Sequence, residues 1–194
     1  MTKAGRWLEE AVDGLREAGH HEFIVRGLLA RAEYYRYAGE YERAWADLGE
    51  AREIGERGEM RLGLADCWLE EARLCLRQAQ EIRNSNLEIR NSKDGGTESK
   101  QRIVPFGGYE PALMGGEKIL AEGRKYFEKG RSEVDDMGYH RRDPEALLIE
   151  AKVLGLEGMK EEGKKTLERA KARIKEMGCH RWDSEIQRIL GAIR

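Results

Sequence analysis

Self-similarity at an interval of 40 residues constrains this chain more than any other feature, because a repeated sequence calls for a repeated unit of structure. Ala4, Leu8 and Ala11 recur as Ala44, Leu48 and Ala51. Further on, Glu122-Gly123-Arg124-Lys125, Phe127, Val134 and Met137-Gly138 return as Glu162-Gly163-Lys164-Lys165, Leu167, Ile174 and Met177-Gly178. His140-Arg141-Arg142-Asp143-Pro144-Glu145 then reappears as His180-Arg181-Trp182-Asp183-Ser184-Glu185.

Within a period the apolar residues keep helical spacing. Leu28, Ala32 and Tyr35 stack on one helix face, and Gly39 stops that helix. Tyr41, Ala44, Leu48 and Ala51 form the facing stripe of a second helix, which is expected to end near Gly55–Gly58, where a glycine can take the left-handed cap. Leu147, Ala151 and Leu154, then Gly163, Leu167, Ala170 and Ile174, repeat the pattern. Small residues at Ala32 with Ala44, and at Ala151 with Gly163, allow the two helices of a hairpin to approach closely. The 23 glycines, costly inside helices at roughly 1 kcal/mol each, therefore read largely as punctuation.

The spacing predicts three antiparallel hairpins, 22–38 with 41–56, 60–80 with 117–137, and 143–157 with 160–177. Unpaired helices stand at 3–18 and 183–193. The organisation is helical repeats over 1–80, an insertion over 81–118, and helical repeats with a capping helix over 119–194. The insertion holds the duplication Glu81-Ile82-Arg83-Asn84-Ser85 and Glu88-Ile89-Arg90-Asn91-Ser92, then a polar, glycine-paired stretch. Such low complexity is expected to be disordered. Ile103-Val104-Pro105-Phe106 is its apolar exception.

These residues resemble the tetratricopeptide repeat. Leu28 stands at the Trp position of its signature, Ala32 at the small Gly, Tyr35 at the Tyr, Ala44 at the Ala and Leu48 at the Phe, while Trp68, Ala72 and Cys75 fill the first three places of the next copy. Arg31 replaces the usual Leu, Glu56 the closing Pro, and the period exceeds the usual value of about 34. The resemblance implies an all-α, TPR-like α-solenoid of antiparallel hairpins, period about 40, with a long flexible insertion. The string Met137–Glu145 is further similar to the C-terminal repeat arrays of bacterial signalling ATPases of the NACHT and NB-ARC type, which implies a sensor or repeat part of a bacterial signalling or defence system.

Charge and cysteine usage bound the partners. Lys plus Arg number 35 against 37 Asp plus Glu, so no global field draws the chain to nucleic acid or anionic lipid. Mean hydropathy is -0.75 and no apolar run approaches the roughly 20 residues of a membrane span. Three cysteines without a CxxC pair fit a reducing, cytoplasmic setting. No His, Cys and acid spacing suits a metal, so neither metal nor cofactor is expected.

Two motifs invite chemistry. Gly158–Thr166 misses the phosphate-binding G-x-x-x-x-G-K-[ST] pattern because Lys165 takes the hydroxyl position and Gly163 lies inside a helix by the repeat phase. His140-Arg141-Arg142-Asp143 reads as a turn in which Asp143 caps the next helix, Pro144 occupies its first position and Glu145 favours its dipole. The remaining possibility there is a patch of His140, Arg141, His180 and Arg181 for an acidic partner or phosphate.

The fold resemblance implies a concave surface lined by the first helix of each hairpin. Carried over by position, it comprises Arg26, Leu29, Glu33, Arg36 and Tyr37, then Asp66, Leu69, Arg73, Leu76 and Arg77, and Lys152. Arginine interleaved with Leu and Tyr suits a protein interface. The expected function is a non-catalytic scaffold that binds a peptide or protein in this groove. An RNA- or nucleotide-binding helical repeat is the competing class, and mixed charge along the groove makes nucleic acid the weaker partner. The first helix, with Trp7, Leu8 and Val12 short of cover, suggests a homo-oligomer.

Overall fold

The computed structural model describes residues 2–91, 115–178 and 180–193, and excludes the side chains of 87–91, 180 and 193. Among these residues the secondary structure is helical throughout: α1 (Lys3–Glu17), α2 (His21–Ala38), α3 (Tyr41–Arg57), α4 (Arg61–Asn91), α5 (Gly116–Asp136), α6 (Asp143–Leu156), α7 (Lys160–Glu176) and α8 (Asp183–Ile193), with short 3-10 turns at His140–Arg142 and His180–Trp182. The main difference from the sequence reading is α4. It runs through the first copy of the duplication and all but the last residue of the second, to Asn91, so 81–91 is helix and the boundary expected at residue 80 lies inside an element. Alternating Glu and Arg at 81, 83, 88 and 90 are good helix formers, and a polar helix needs no apolar stripe to continue an existing one. Residues 92–114, with the Ile103–Phe106 string, lie outside the described residues.

α2 packs along α3, α4 along α5, and α6 along α7, while α2, α4, α6 and α8 also touch in succession. Close packing rests on small residues. Ala32, Ala44, Ala72 and Ala151 are fully buried. On α5, a Cβ at Gly123 would lie 2.8 Å from the Cβ of Cys75, and one at Gly130 would lie 3.1 Å from Leu69 Cγ. α5 therefore lies closer to α4 than any larger residue permits. Apolar clusters follow the chain from one end to the other. Val12, Ile24, Val25 and Leu28 form one, Tyr35, Trp45, Leu48 and Leu74 the next. Leu69, Leu76, Phe127 and Ile149 then hand over to Leu148, Leu167, Ile186 and Ile189.

Turn chemistry recurs at intervals of twenty. Gly19 (φ 69°), Gly39 (φ 76°), Gly138 (φ 62°), Gly158 (φ 87°) and Gly178 (φ 61°) adopt left-handed backbone, and Glu59 (φ 49°) does so at the place where the series calls for another glycine. The left-handed cap expected of Gly55–Gly58 thus falls on Glu59. Gly58 has φ -92°, and Gly55 is buried inside α3 against Leu64.

Asp143 also departs from its expected role. Arg142 precedes α6, no side chain caps it, and Asp143 is already helical. Its carboxylate lies 3.3 Å from His140 Nδ1, 3.6 Å from Arg131 of α5 and 3.7 Å from Arg173 of α7. It gathers cations around the first turn instead of accepting a capping hydrogen bond.

Candidate functional site

The sequence-derived groove residues do not share one surface. Leu69 and Leu76 are fully buried against Phe127 and Ile149 and cannot touch a partner; their positions on α4 face α5 and α6. Arg77 is exposed and pairs with Glu81 at 3.0 Å. Lys152 lines a separate cavity. The remaining residues converge. Arg26, Leu29, Glu33 and Tyr37 of α2, with Asp66 and Arg73 of α4, line a cleft of about 420 Å³. Arg142, Glu145, Arg181, Trp182 and Glu185 close it from the other side.

Beneath the cleft runs a chain of alternating charges. Arg36 Nη2 lies 3.7 Å from Glu33, and its Nε donates to Glu70 at 2.6 Å. Arg73 Nη1 donates to Glu70 at 3.2 Å and lies 2.6 Å from Glu145 Oε1. Arg142 Nη1 donates to Glu145 Oε2 at 2.8 Å, and its Nη2 donates to Asp66. Arg36, Glu70 and Glu145 are buried, so each charge depends on its neighbours. Burial opposes ionisation of Glu145, yet Arg73 and Arg142 outweigh it and hold the carboxyl below its ordinary value. Burial likewise opposes the charge on Arg73, and Glu145 with Glu70 more than restores it. At the edges of the chain the balance reverses. Burial raises Asp66 despite Arg142, and burial together with Glu70 raises Glu33.

Two aromatic rings stand on this base. Tyr37, 53% exposed, carries Arg36 at 4.5 Å and Arg188 of α8 at 5.6 Å from its ring centroid. Trp182 lies between Arg181 at 4.3 Å and Arg73 at 5.2 Å. The guanidiniums hold the rings by cation–π attraction, Tyr37 remaining exposed and Trp182 half-buried against the α6–α8 core.

Among the described side chains of the His-Arg patch, only Arg181 lines the cleft. His140 turns to Asp143, Arg141 is exposed, and the His180 side chain lies outside the described residues. Sequence reasoning missed Glu70, Arg142, Glu145, Trp182 and Glu185 as site residues. A signal for four of them was present, since Glu145 and Glu185 are repeat equivalents that both line the cleft, and Arg142 and Trp182 mark the place where the two copies differ.

Elsewhere, Cys67 and Cys75 are buried free thiols pushed up by burial, and among the described residues no group of three or more His, Cys, Asp or Glu is placed to hold a metal. No helix of the described residues is long and apolar enough to cross a membrane. Val12, expected to lack cover, is fully buried within the chain, Leu8 is half-buried, and Trp7 is 58% exposed. Compared with known proteins, the chain matches no family model, no curated protein and no solved structure.

Proposed function

We propose that this chain is a non-catalytic binding scaffold of the tetratricopeptide type, in which helices α2, α4, α6 and α8 line the inner face of a short α-solenoid and the cleft takes a peptide segment of a partner protein. The observation that carries this reading is the convergence of those elements on one 420 Å³ cleft, where the exposed Tyr37 ring and the half-buried Trp182 ring stand on a buried, prearranged ion-pair network. A volume of that size suits a few residues of chain, within the roughly 300–1,000 Å³ of small-ligand sites. Prearranged arginines lose little freedom on binding, and the exposed Tyr37 ring supplies contact area at low entropic cost. The resemblance of Met137–Glu145 to bacterial NACHT and NB-ARC repeat arrays supports a sensor role within this reading.

The competing RNA reading is weakened by the lining itself. Carboxylates outnumber guanidiniums there five to four, which repels a phosphate backbone.

Selection of a random peptide library against the protein tests the proposal, with a Tyr37→Ala/Arg181→Ala double variant as the counter-screen. Both positions are exposed, so the melting temperature should not move. Peptides enriched on the wild type are expected to bind the variant at least tenfold more weakly; equal binding removes the cleft as the site. Labelled RNA titrated at about 50 and about 200 mM salt decides the alternative, because a steep salt-dependent loss favours it. Self-association through α1 is a lesser proposal resting on exposed Trp7, and a monomer of unchanged sedimentation at tens of micromolar defeats it.

A further inference from the structure

Every half-buried or buried arginine and lysine among the described residues but one has a carboxylate within ion-pairing distance. Arg31 has Asp47 at 2.7 Å, Arg36 has Glu70 at 2.6 Å, Arg52 has Glu71 at 3.0 Å, Arg73 has Glu145 at 2.6 Å and Arg142 has Glu145 at 2.8 Å. The exception is Lys152 on α6. It is only partly accessible, and its ammonium makes no ion pair or hydrogen bond among the described residues. An ammonium removed from bulk water without a counter-charge is unfavourable, and such a group is usually paired.

Lys152 lines a cavity of about 260 Å³ between the second half of α4, the end of α6 and α8. Arg83 lines the same cavity, and among the described residues no carboxylate does. Arg83 spends one N–H on the carbonyl of Leu156 at 3.3 Å, and its other donors make no hydrogen bond among the described residues. Gln80 Nε2 donates to Asn84 Oδ1 at 2.8 Å, which leaves the Asn84 amide nitrogen as a donor. The cavity thus offers ammonium, guanidinium and amide donors.

We propose that this cavity is a binding site for a small oxyanion of the phosphate class, with Lys152 as its central ligand and Arg83 at its mouth. A tetrahedral oxyanion presents acceptors in every direction, which matches donors arriving from both α4 and α6 better than a planar carboxylate does. The surroundings of Lys152 favour an added negative charge. Burial, and then Arg36 of α2 with Arg77 and Arg73 of α4, weaken its hold on the proton and bring it to about 8, while Glu185 of α8 is the acidic group that opposes them. An anion in the cavity would restore the full charge of the lysine. The site is separate from the peptide cleft and stands or falls without it.

Isothermal titration of the whole chain with inorganic phosphate at pH 8, at constant ionic strength against chloride, tests the site. Saturable binding is expected, with a heat that depends on the ionisation enthalpy of the buffer, because binding draws up to about half a proton onto Lys152. Lys152→Arg should keep binding and lose the buffer dependence, since guanidinium is always protonated. Lys152→Met should abolish binding, and the exposed Arg83→Gln, which carries no folding risk, should weaken it at least fivefold. Glycerol 3-phosphate binding more tightly than phosphate identifies a monoester as the ligand, and the reverse order identifies the free ion. Absence of saturable binding to both, or unchanged phosphate affinity in Lys152→Met and Arg83→Gln, overturns the proposal.

Discussion

Glu70 and Glu71 are neighbours on α4 and almost equally inaccessible, yet they live under opposite electrostatic conditions. Glu70 faces the cleft, where Arg36 and Arg73 reach it at 2.6 and 3.2 Å and pass the alternation on to Glu145. Glu71 faces α3 and α5. It receives only Arg52, at 3.0 Å on Oε1, and its buried Oε2 has no hydrogen-bond partner. On the cleft side Glu145 is held ionised below its ordinary value. On the far side burial raises Glu71 from 4.5 to about 7, with Arg52 and Lys129 too weak to offset it. Depth of burial therefore does not decide the charge state of a carboxylate here; the number and geometry of its donors do. The cleft face is a saturated network, and the opposite face holds a carboxylate poised to take a proton.

The comparison breaks most visibly at Arg73. Arg73→Met removes the guanidinium shared by Glu70 and Glu145 and is expected to cost about 3–5 kcal/mol of unfolding free energy, read from urea denaturation at pH 7. A loss below about 1 kcal/mol would mean that the network is not held as described. Because the folded value of Glu145 is depressed, its stabilisation is present above 4.5 and drains away as pH falls below that point. The acid limb of a stability profile should accordingly be shallower in Arg73→Met.

Glu71 supplies the second test, with the opposite sign. Its folded value is raised, so its contribution is full below 4.5 and is lost as pH rises from 4.5 through about 7. Glu71→Gln should be close to neutral at pH 5 and stabilising by about 3 kcal/mol at pH 8, which flattens the profile on the side where Arg73→Met does not. Parallel profiles for wild type and Glu71→Gln between pH 5 and 8 would show that Glu71 is ionised throughout and that the two faces do not differ.

Backbone substitutions outside both networks calibrate the scale. Gly138→Ala places a Cβ on left-handed backbone and should cost about 1–2 kcal/mol, whereas Glu59→Gly relieves the one non-glycine in that conformation among the described residues and should gain at most about 1 kcal/mol. Both shifts should be independent of pH. A pH-dependent effect of Glu59→Gly would indicate that its carboxylate, not its backbone, matters. The smallest expected effect belongs to Tyr37→Ala, below about 0.5 kcal/mol, since an exposed ring contributes to contact more than to folding.

Much of the helical organisation could be read directly from residues. Seven of the eight helices begin and end within a residue or two of the spans implied by apolar spacing and glycine punctuation, because both signals are local. The end of α4 could not be read, since a polar duplication carries no periodicity to distinguish a helix from a loop. Groove residues divided by the same logic. Arg26, Leu29, Glu33, Tyr37, Asp66 and Arg73 were identified from their place in the repeat, and all line one cleft. Leu69 and Leu76 were misassigned because α4 is packed by α5 on one flank and α6 on the other, which widens its buried face beyond that of a helix with one neighbour.

By itself the sequence determined the helices, the turns at intervals of twenty and the small residues that let hairpins close, since each depends on a few adjacent residues and on backbone sterics. Tertiary structure alone decided which charges meet. Arg142 and Asp66 are 76 positions apart, Arg36 and Glu70 are 34 apart, and Lys152 is distinguished only by making no ion pair among the described residues. Ion pairing between helices depends on the angles and offsets at which they pack, and side-chain volumes summed over the whole core set those angles.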